Sequence, residues 1–203
     1  MDVDKKIRIN PGYILSLLII GIPAFLWMRT FNFAAIDTVE TVITVVLKTS
    51  AFAGTAMFAW SLVLSGRYKI FDSLFRGLDK VYVAHRFFGT ASVAILLLHP
   101  LSYTLLKAYR GGIDNYITHF LAYESLGLTL GRLSLYGLIL IALWSIFTKA
   151  KHETFILVHR LLGLFFVLGL IHAFTMSDTT VLSSDPLMWW YMFSLGLVAT
   201  LTF

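Results

Sequence analysis

Cysteine is absent from the 203-residue chain. That absence removes disulfides, iron–sulfur clusters, thiolate-ligated haem and covalent haem attachment through C-x-x-C-H. Any metal centre must therefore draw on His, Met, Tyr, Asp or Glu. Charge is scarce as well: 13% of residues are Asp, Glu, Lys or Arg and 58% are hydrophobic, against about a quarter and about half in a soluble domain, so an ordinary soluble fold is excluded. A basic polar segment is also missing. The formal charge is +5, but the Lys and Arg residues are scattered between apolar runs, so no nucleic-acid partner is expected. The residues after Met1-Asp2-Val3-Asp4-Lys5-Lys6 enter an apolar run without a small-residue cleavage site, and the N-terminus is expected to be retained.

What the chain does have is long apolar segments. A helix crossing a hydrocarbon core of about 30 Å needs roughly 20 residues, with every backbone polar group satisfied inside the segment. Six windows approach this length: about 13–28, 39–64, 81–105, 126–147, 154–174 and 187–203. The expected fold class is an all-α membrane protein, a bundle of six transmembrane helices preceded by a polar N-terminus over residues 1–12. The first window is short and carries Pro23, and the last is still apolar at Phe203. Between the second and third windows, residues 65–80 alternate basic side chains with Phe71, Leu74, Phe75 and Leu78 at helical spacing, the pattern of a short helix lying on the membrane surface.

Positive charge marks the cytoplasmic side. Eleven of the 16 Lys and Arg residues, among them Lys5, Lys6, Arg8, Arg67, Lys69, Arg76, Lys80, Lys149 and Lys151, fall on the side of the N-terminus, and five, including Arg29, Lys107 and Arg110, on the other. The N-terminus is therefore expected in the cytoplasm, with the third and fifth helices running from inside to outside.

These two helices carry an internal echo. His85-Arg86-Phe87-Phe88-Gly89 opens the third and His159-Arg160-Leu161-Leu162-Gly163 opens the fifth, and each is followed by a second histidine, His99 and His172. At 1.5 Å per residue the members of each pair stand about 20 Å apart along their helix. His85 and His159 then share an inner layer, and His99 and His172 an outer one. Two imidazoles facing each other across a bundle can supply both axial positions of a haem iron, so four histidines offer two stacked b-type haem sites. Gly89 and Gly163 sit one turn after the first histidine of each pair, where a missing side chain leaves room for a flat macrocycle, or lets neighbouring helices of a membrane bundle pack closely. On an ideal helix His85 and His99 fall within about 40° of one face, whereas the shorter step puts His159 and His172 about 140° apart. The fifth helix is therefore expected to be overwound, bent or tilted, or to meet its haems from different sides.

In VAHRFFGTASVAILLLHP and LVHRLLGLFFVLGLIHAF the chain resembles the ferric reductase-like transmembrane domain family of NADPH oxidases, ferric-chelate reductases and bacterial relatives. That family has a histidine pair separated by thirteen residues on the third helix and one separated by twelve on the fifth. The resemblance implies two haem b and a path from cytosolic NAD(P)H through FAD to the inner haem, the outer haem and an external acceptor, molecular oxygen (giving superoxide) or ferric iron. It also implies a multi-pass protein of the bacterial plasma membrane. The family's flavin and nicotinamide domain follows the sixth helix. No Gly-rich dinucleotide fingerprint appears in this chain, so FAD and NAD(P)H are expected in a further part of the protein or in a separate reductase subunit. In the superoxide-forming oxidases a basic residue on the second helix and a histidine one turn after the outer ligand accompany the oxygen site; Lys48 fits the first, but Tyr103 stands at the second position. A related haem-binding subunit, without a flavin domain, feeds a periplasmic methionine sulfoxide reductase. In it the position matching His85 is usually not histidine, which turns the reading toward the oxidase and ferric reductase branch.

Other residues carry weaker signals. Arg86 and Arg160 are candidates for the inner haem's propionates, or positive-inside anchors that snorkel; Arg132 is the outer candidate. Phe165 and Phe166 lie between the two layers and could line the gap between haems. His119 and His152 are expected in loops, and Asp178 and Asp185 as exposed carboxylates able to attract a cationic acceptor. The competing class is a transport or metal-binding bundle whose histidines hold zinc or copper or relay protons. A metal cage, however, needs its ligands within a few ångströms of one centre, and each His pair is split across two depths. No acid, base or nucleophile is assigned.

Overall fold

The computed structural model describes residues 10–32, 34, 36–111, 125–176 and 185–202, and every regular element among them is helical. In chain order these are α1 (Pro11–Thr30), α2 (Val39–Ser65), α3 (Lys69–Phe75), α4 (Leu78–Gly111), α5 (Leu126–Phe147), α6 (His152–Thr175) and α7 (Pro186–Thr202). Five helices, α1, α2, α4, α5 and α6, are long and apolar enough to cross a membrane, and α7 is apolar but has 17 residues. The exposed residues of the long helices are largely Leu, Ile, Val and Phe, as expected of an outer surface solvated by lipid tails rather than by water.

The first window, which looked short, extends to 20 residues. Asn10 caps it by accepting from the Gly12 N–H at 2.9 Å, and Pro11 occupies the first turn, where no N–H is needed. Pro23 lies inside this helix and has no N–H for the carbonyl of Ile19, four residues earlier. The Tyr191 hydroxyl of α7 donates to that carbonyl at 2.7 Å, so the proline costs the bundle no buried orphan. Two more bonds tie α1 to its neighbours: the Trp60 indole N–H donates to Ser16 Oγ at 2.8 Å, and the Asn10 side-chain amide to the Phe75 carbonyl at 2.7 Å.

The segment 65–80 forms a seven-residue helix whose Phe71 and Phe75 are buried against the main core, with Leu74 packed beside them. It ends where Arg76 and Gly77 take positive φ, 61° and 138°. The Gly77 N–H returns to the Asp72 carbonyl at 2.9 Å and the Arg76 N–H to Ser73 at 3.4 Å, a Schellman closure that satisfies the last carbonyls of α3. Leu78, expected on the same apolar stripe, is exposed and begins α4.

Helix α4 has 34 residues and outruns the expected 81–105 window. Its last turns carry Lys107 and Arg110, which the sequence alone assigns to a loop. Arg110 pairs there with Glu40 in the first turn of α2, which gives the charged end a partner. Asp185 likewise departs from expectation. Rather than an exposed carboxylate it is buried, 5% exposed, and caps α7 by accepting from the Leu187 and Met188 N–H groups at 3.0 and 3.4 Å. Arg29 at the end of α1 pairs with it at 2.8 Å, so its charge is already neutralised and unavailable to an external cation. Lys5, Lys6, Arg8, His119 and Asp178 lie outside the described residues.

Two outcomes follow from these contacts. Tyr191→Phe leaves the Ile19 carbonyl unsatisfied and should lower stability by about 1–3 kcal/mol, whereas Pro23→Ala, which restores the missing N–H, should recover most of that loss in the double variant; thermal unfolding in detergent reads both. The Arg29 guanidinium hydrogen-bonded to Asp185 holds that carboxyl below its ordinary value. A lowered folded-state pKa means that the latch stabilises fully above the unfolded value of about 3.9 and weakens as pH falls through the folded value. An acid titration should therefore loosen the α1–α7 contact below about pH 4 in the native chain and show no such step in Asp185→Asn.

Candidate functional site

The bundle is organised as two helix pairs. α2 packs along α4, and α5 along α6, far more extensively than either pair packs on the other. The seam between them is where the four histidines meet. The His85 and His159 rings face each other with centroids 6.3 Å apart and planes at 74°; the His99 and His172 rings do so at 6.4 Å and 62°. In each couple one ring comes from α4 and the other from α6.

Three of the four imidazoles are held by the main chain of the neighbouring helix in their own pair. His85 Nδ1 is 2.8 Å from the Ser61 carbonyl of α2, His99 Nδ1 is 3.1 Å from that of Leu47, also on α2, and His172 Nδ1 is 2.8 Å from that of Gly127 on α5. A carbonyl can only accept, so Nδ1 carries the hydrogen in all three rings and Nε2 is left with a lone pair. His159 differs: its Nδ1 lies 3.5 Å from the Ser145 hydroxyl, and its ring stacks on Phe155 at 5.1 Å and 16°.

Gly127 and Gly131 on α5 explain how His172 reaches the seam despite the awkward twelve-residue gap. The pattern Gly127-Leu-Thr-Leu-Gly131 puts two glycines on one helix face. A Cβ at position 131 would stand 2.8 Å from His172 Nδ1, and one at 127 would stand 2.9 Å from Met176 Sδ. The ring therefore lies against bare α5 backbone. These two glycines were missed by a reading centred on the histidines, although a G-x-x-x-G spacing in an apolar helix is a sequence-level sign of close helix approach.

A cavity of ≈ 290 Å³ opens in the seam at the His99/His172 couple, and Lys48, His99, Tyr103, Arg132 and His172 all contribute to its wall. Arg132 and Lys48 are thus brought to His99 and His172. Arg86 is not brought to His85 and His159 in this way: it is exposed and lines a shallow groove on α4 with Val83, Phe87 and Thr90, and Arg160 is exposed too. Phe166 is buried and meets Phe58 of α2 edge-to-face at 5.3 Å, with its ring in the same cavity wall. Phe165 packs over Gly137 of α5. Gly163 is buried, His152 is exposed at the start of α6, and Gly89 lies against Ser61.

The donor set discriminates between kinds of metal site. Among the described residues no three His, Asp or Glu converge on one point, so a bare ion would be left short of the four ligands zinc takes. A metal already held by four macrocycle nitrogens needs only two axial donors. An imidazole nitrogen lies about 2 Å from a bound metal and about 1 Å from its own ring centre, so two imidazoles on opposite sides of one ion have centroids roughly 6 Å apart. Both couples stand at that separation, and the residues fit a haem at each level.

Apolar membrane-length helices around an interior of paired, main-chain-oriented histidines define a multi-pass integral membrane protein. The family described as ferric reductase like transmembrane component matches residues 50–170, from the middle of α2 to the last third of α6, and the chain belongs to that family. No individual curated protein matches it. The family is associated with oxidoreductases and with electron transfer across membranes.

Glycine packing offers a direct test of the geometry. Gly131→Ala should lower thermal stability by about 1–3 kcal/mol through overpacking against His172. Gly21→Ala in α1, where nothing stands within 4 Å of the added methyl, should be neutral or stabilising by up to about 1 kcal/mol. Equal effects at the two positions would contradict the close approach of α5 to His172.

Proposed function

We propose that this chain is the transmembrane electron relay of an NAD(P)H-dependent oxidase or ferric reductase, with one b-type haem between His85 and His159 and a second between His99 and His172. The observation that carries this reading is the pair of cross-seam imidazole couples, 6.3 and 6.4 Å between centroids, set about 20 Å apart in depth by the helical rise. Bound haem supplies a one-electron ferric–ferrous couple. The protein's part is positional. Main-chain carbonyls on α2 and α5 fix the ring orientation of His85, His99 and His172 and keep Nε2 aimed into the seam. The Phe58–Phe166 contact closes the seam between the two layers with apolar surface, which excludes water and ions from the electron's route. Lys48 and Arg132, in the outer cavity wall, place positive charge beside the outer couple, where propionate carboxylates or an anionic product are stabilised.

The excess of Lys and Arg on the side of the N-terminus orients the His85/His159 layer toward the cytoplasm, with α7 as a sixth crossing. Electrons then enter from an FAD- and NAD(P)H-binding domain or subunit and leave to an external acceptor, molecular oxygen or ferric iron. Tyr103 in the outer cavity wall, where superoxide-forming relatives carry histidine, favours ferric iron between these two.

Purified protein expressed with ample haem should show reduced-minus-oxidised bands of low-spin b-type haem and bind about two haems per chain, as two bis-histidine sites require. His85→Ala and His172→Ala should each remove one. Absence of haem bands from the wild-type protein would sink the relay.

A further inference from the structure

Gly89 has a different neighbour from the one its place after His85 suggests. A Cβ built on it would stand 2.9 Å from Ser61 Oγ of α2 and 3.8 Å from Ser61 Cβ, and no other neighbouring atom comes within 4 Å. The Ser61 hydroxyl donates to the His85 carbonyl at 3.1 Å, and within α4 that is the carbonyl that the Gly89 N–H approaches from one turn on. The same serine's own carbonyl accepts from His85 Nδ1 at 2.8 Å, and its hydroxyl lies 3.1 Å from that nitrogen. One residue of α2 thus grips His85 at both its backbone and its ring, and the hydroxyl half of the grip fills the space that a side chain at position 89 would take.

The arrangement recurs in the other helix pair. Ser134 of α5 donates to the Phe165 carbonyl of α6 at 2.7 Å, and a Cβ on Gly169, four residues after Phe165, would stand 2.9 Å from Ser134 Oγ. Both pairs are therefore clamped by a serine that reaches a carbonyl beside a glycine one turn on. On α4 the clamp coincides with the histidine, whereas on α6 it lies between the two. Among the described residues, the His159 ring is placed by the Ser145 hydroxyl at 3.5 Å and not by a main-chain carbonyl.

We propose that Ser61 is the positioning residue of the inner site, setting the tautomer and orientation of His85, and that position 89 is glycine to admit Ser61 rather than to clear space for a macrocycle. The proposal rests on the haem reading given above. It separates two roles for Gly89 that sequence cannot distinguish, because the steric conflict it avoids lies within the protein. Ser61→Ala removes only Oγ and leaves the main-chain acceptor of His85 in place. Gly89→Ala puts a methyl 2.9 Å from Ser61 Oγ; we expect α2 to yield to it and to draw the main-chain acceptor of His85 away.

The test uses four full-length proteins in detergent: wild type, Ser61→Ala, Gly89→Ala and the double variant. The readouts are haem-to-protein ratio, the low-spin ferric electron paramagnetic resonance signals and a thermal midpoint. Ser61→Ala should keep both haems with a small shift in one signal. Gly89→Ala should weaken retention of one haem by about tenfold, the scale of losing a partner behind a metal-ligating histidine, and alter only that haem's signal. In the double variant retention should return to the Ser61→Ala level, since the remaining Cβ contact of 3.8 Å is an ordinary one. A double variant as defective as Gly89→Ala would overturn the proposal, as would a Gly89→Ala protein with two wild-type signals. If Gly89→Ala does not fold, recovery of a folded two-haem protein in the double variant supports the clamp, and failure to recover refutes it. A wild-type protein without haem would instead strike at the relay itself.

Discussion

An imidazole N–H inside a membrane must be given to an acceptor, because the hydrocarbon around the bundle provides none. In this chain three such hydrogens go to main-chain carbonyls, those of Ser61, Leu47 and Gly127, and much of the architecture follows from that choice. A carbonyl acceptor fixes the tautomer and leaves Nε2 directed away from the donor's own helix pair and toward the other pair. It also ties α4 to α2 and α6 to α5 at the level of each ring. The two helix pairs are thereby preassembled, and the seam between them is lined with nitrogen lone pairs.

Main-chain acceptors demand close backbone approach, and the glycines follow from that demand. Gly131 lets His172 lie on α5, Gly89 admits Ser61, and Gly169 admits Ser134. In a soluble protein such approach would be stabilised by the exclusion of water. Between helices in lipid that drive is absent, and packing and hydrogen bonds carry the association instead. The same economy of polar groups accounts for Pro23, whose missing N–H is compensated by Tyr191, and for the Asp185–Arg29 pair at the meeting of α7 with α1.

Much of this could be read in advance. The apolar windows, the four histidines and the two depths at which they stand were legible because helical rise is a local property: thirteen or fourteen steps at 1.5 Å give a depth whatever surrounds the helix. The ends of the helices were less legible. Lys107 and Arg110 read as loop because their charge interrupts the apolar run, yet α4 passes through both, with Glu40 of α2 waiting for Arg110. Asp185 read as exposed because carboxylates usually are, and its burial depended on an arginine 156 residues earlier in the chain.

Azimuth around the helix was the quantity least accessible to sequence. An ideal α6 places His159 and His172 about 140° apart, yet both rings meet partners from α4. For His172 the difference is made by α5, whose Gly127 and Gly131 let the ring lean against bare backbone. Likewise the HRxxG echo suggested equivalent glycines, but Gly89 faces a serine of α2, and the matching serine clamp on α6 falls at Gly169 instead. Residue type, spacing and depth are set within one helix and so belong to the chain. Ring orientation, hydrogen-bond partner and the meaning of each glycine are set by a second helix, whose approach is governed by packing between segments far apart in sequence.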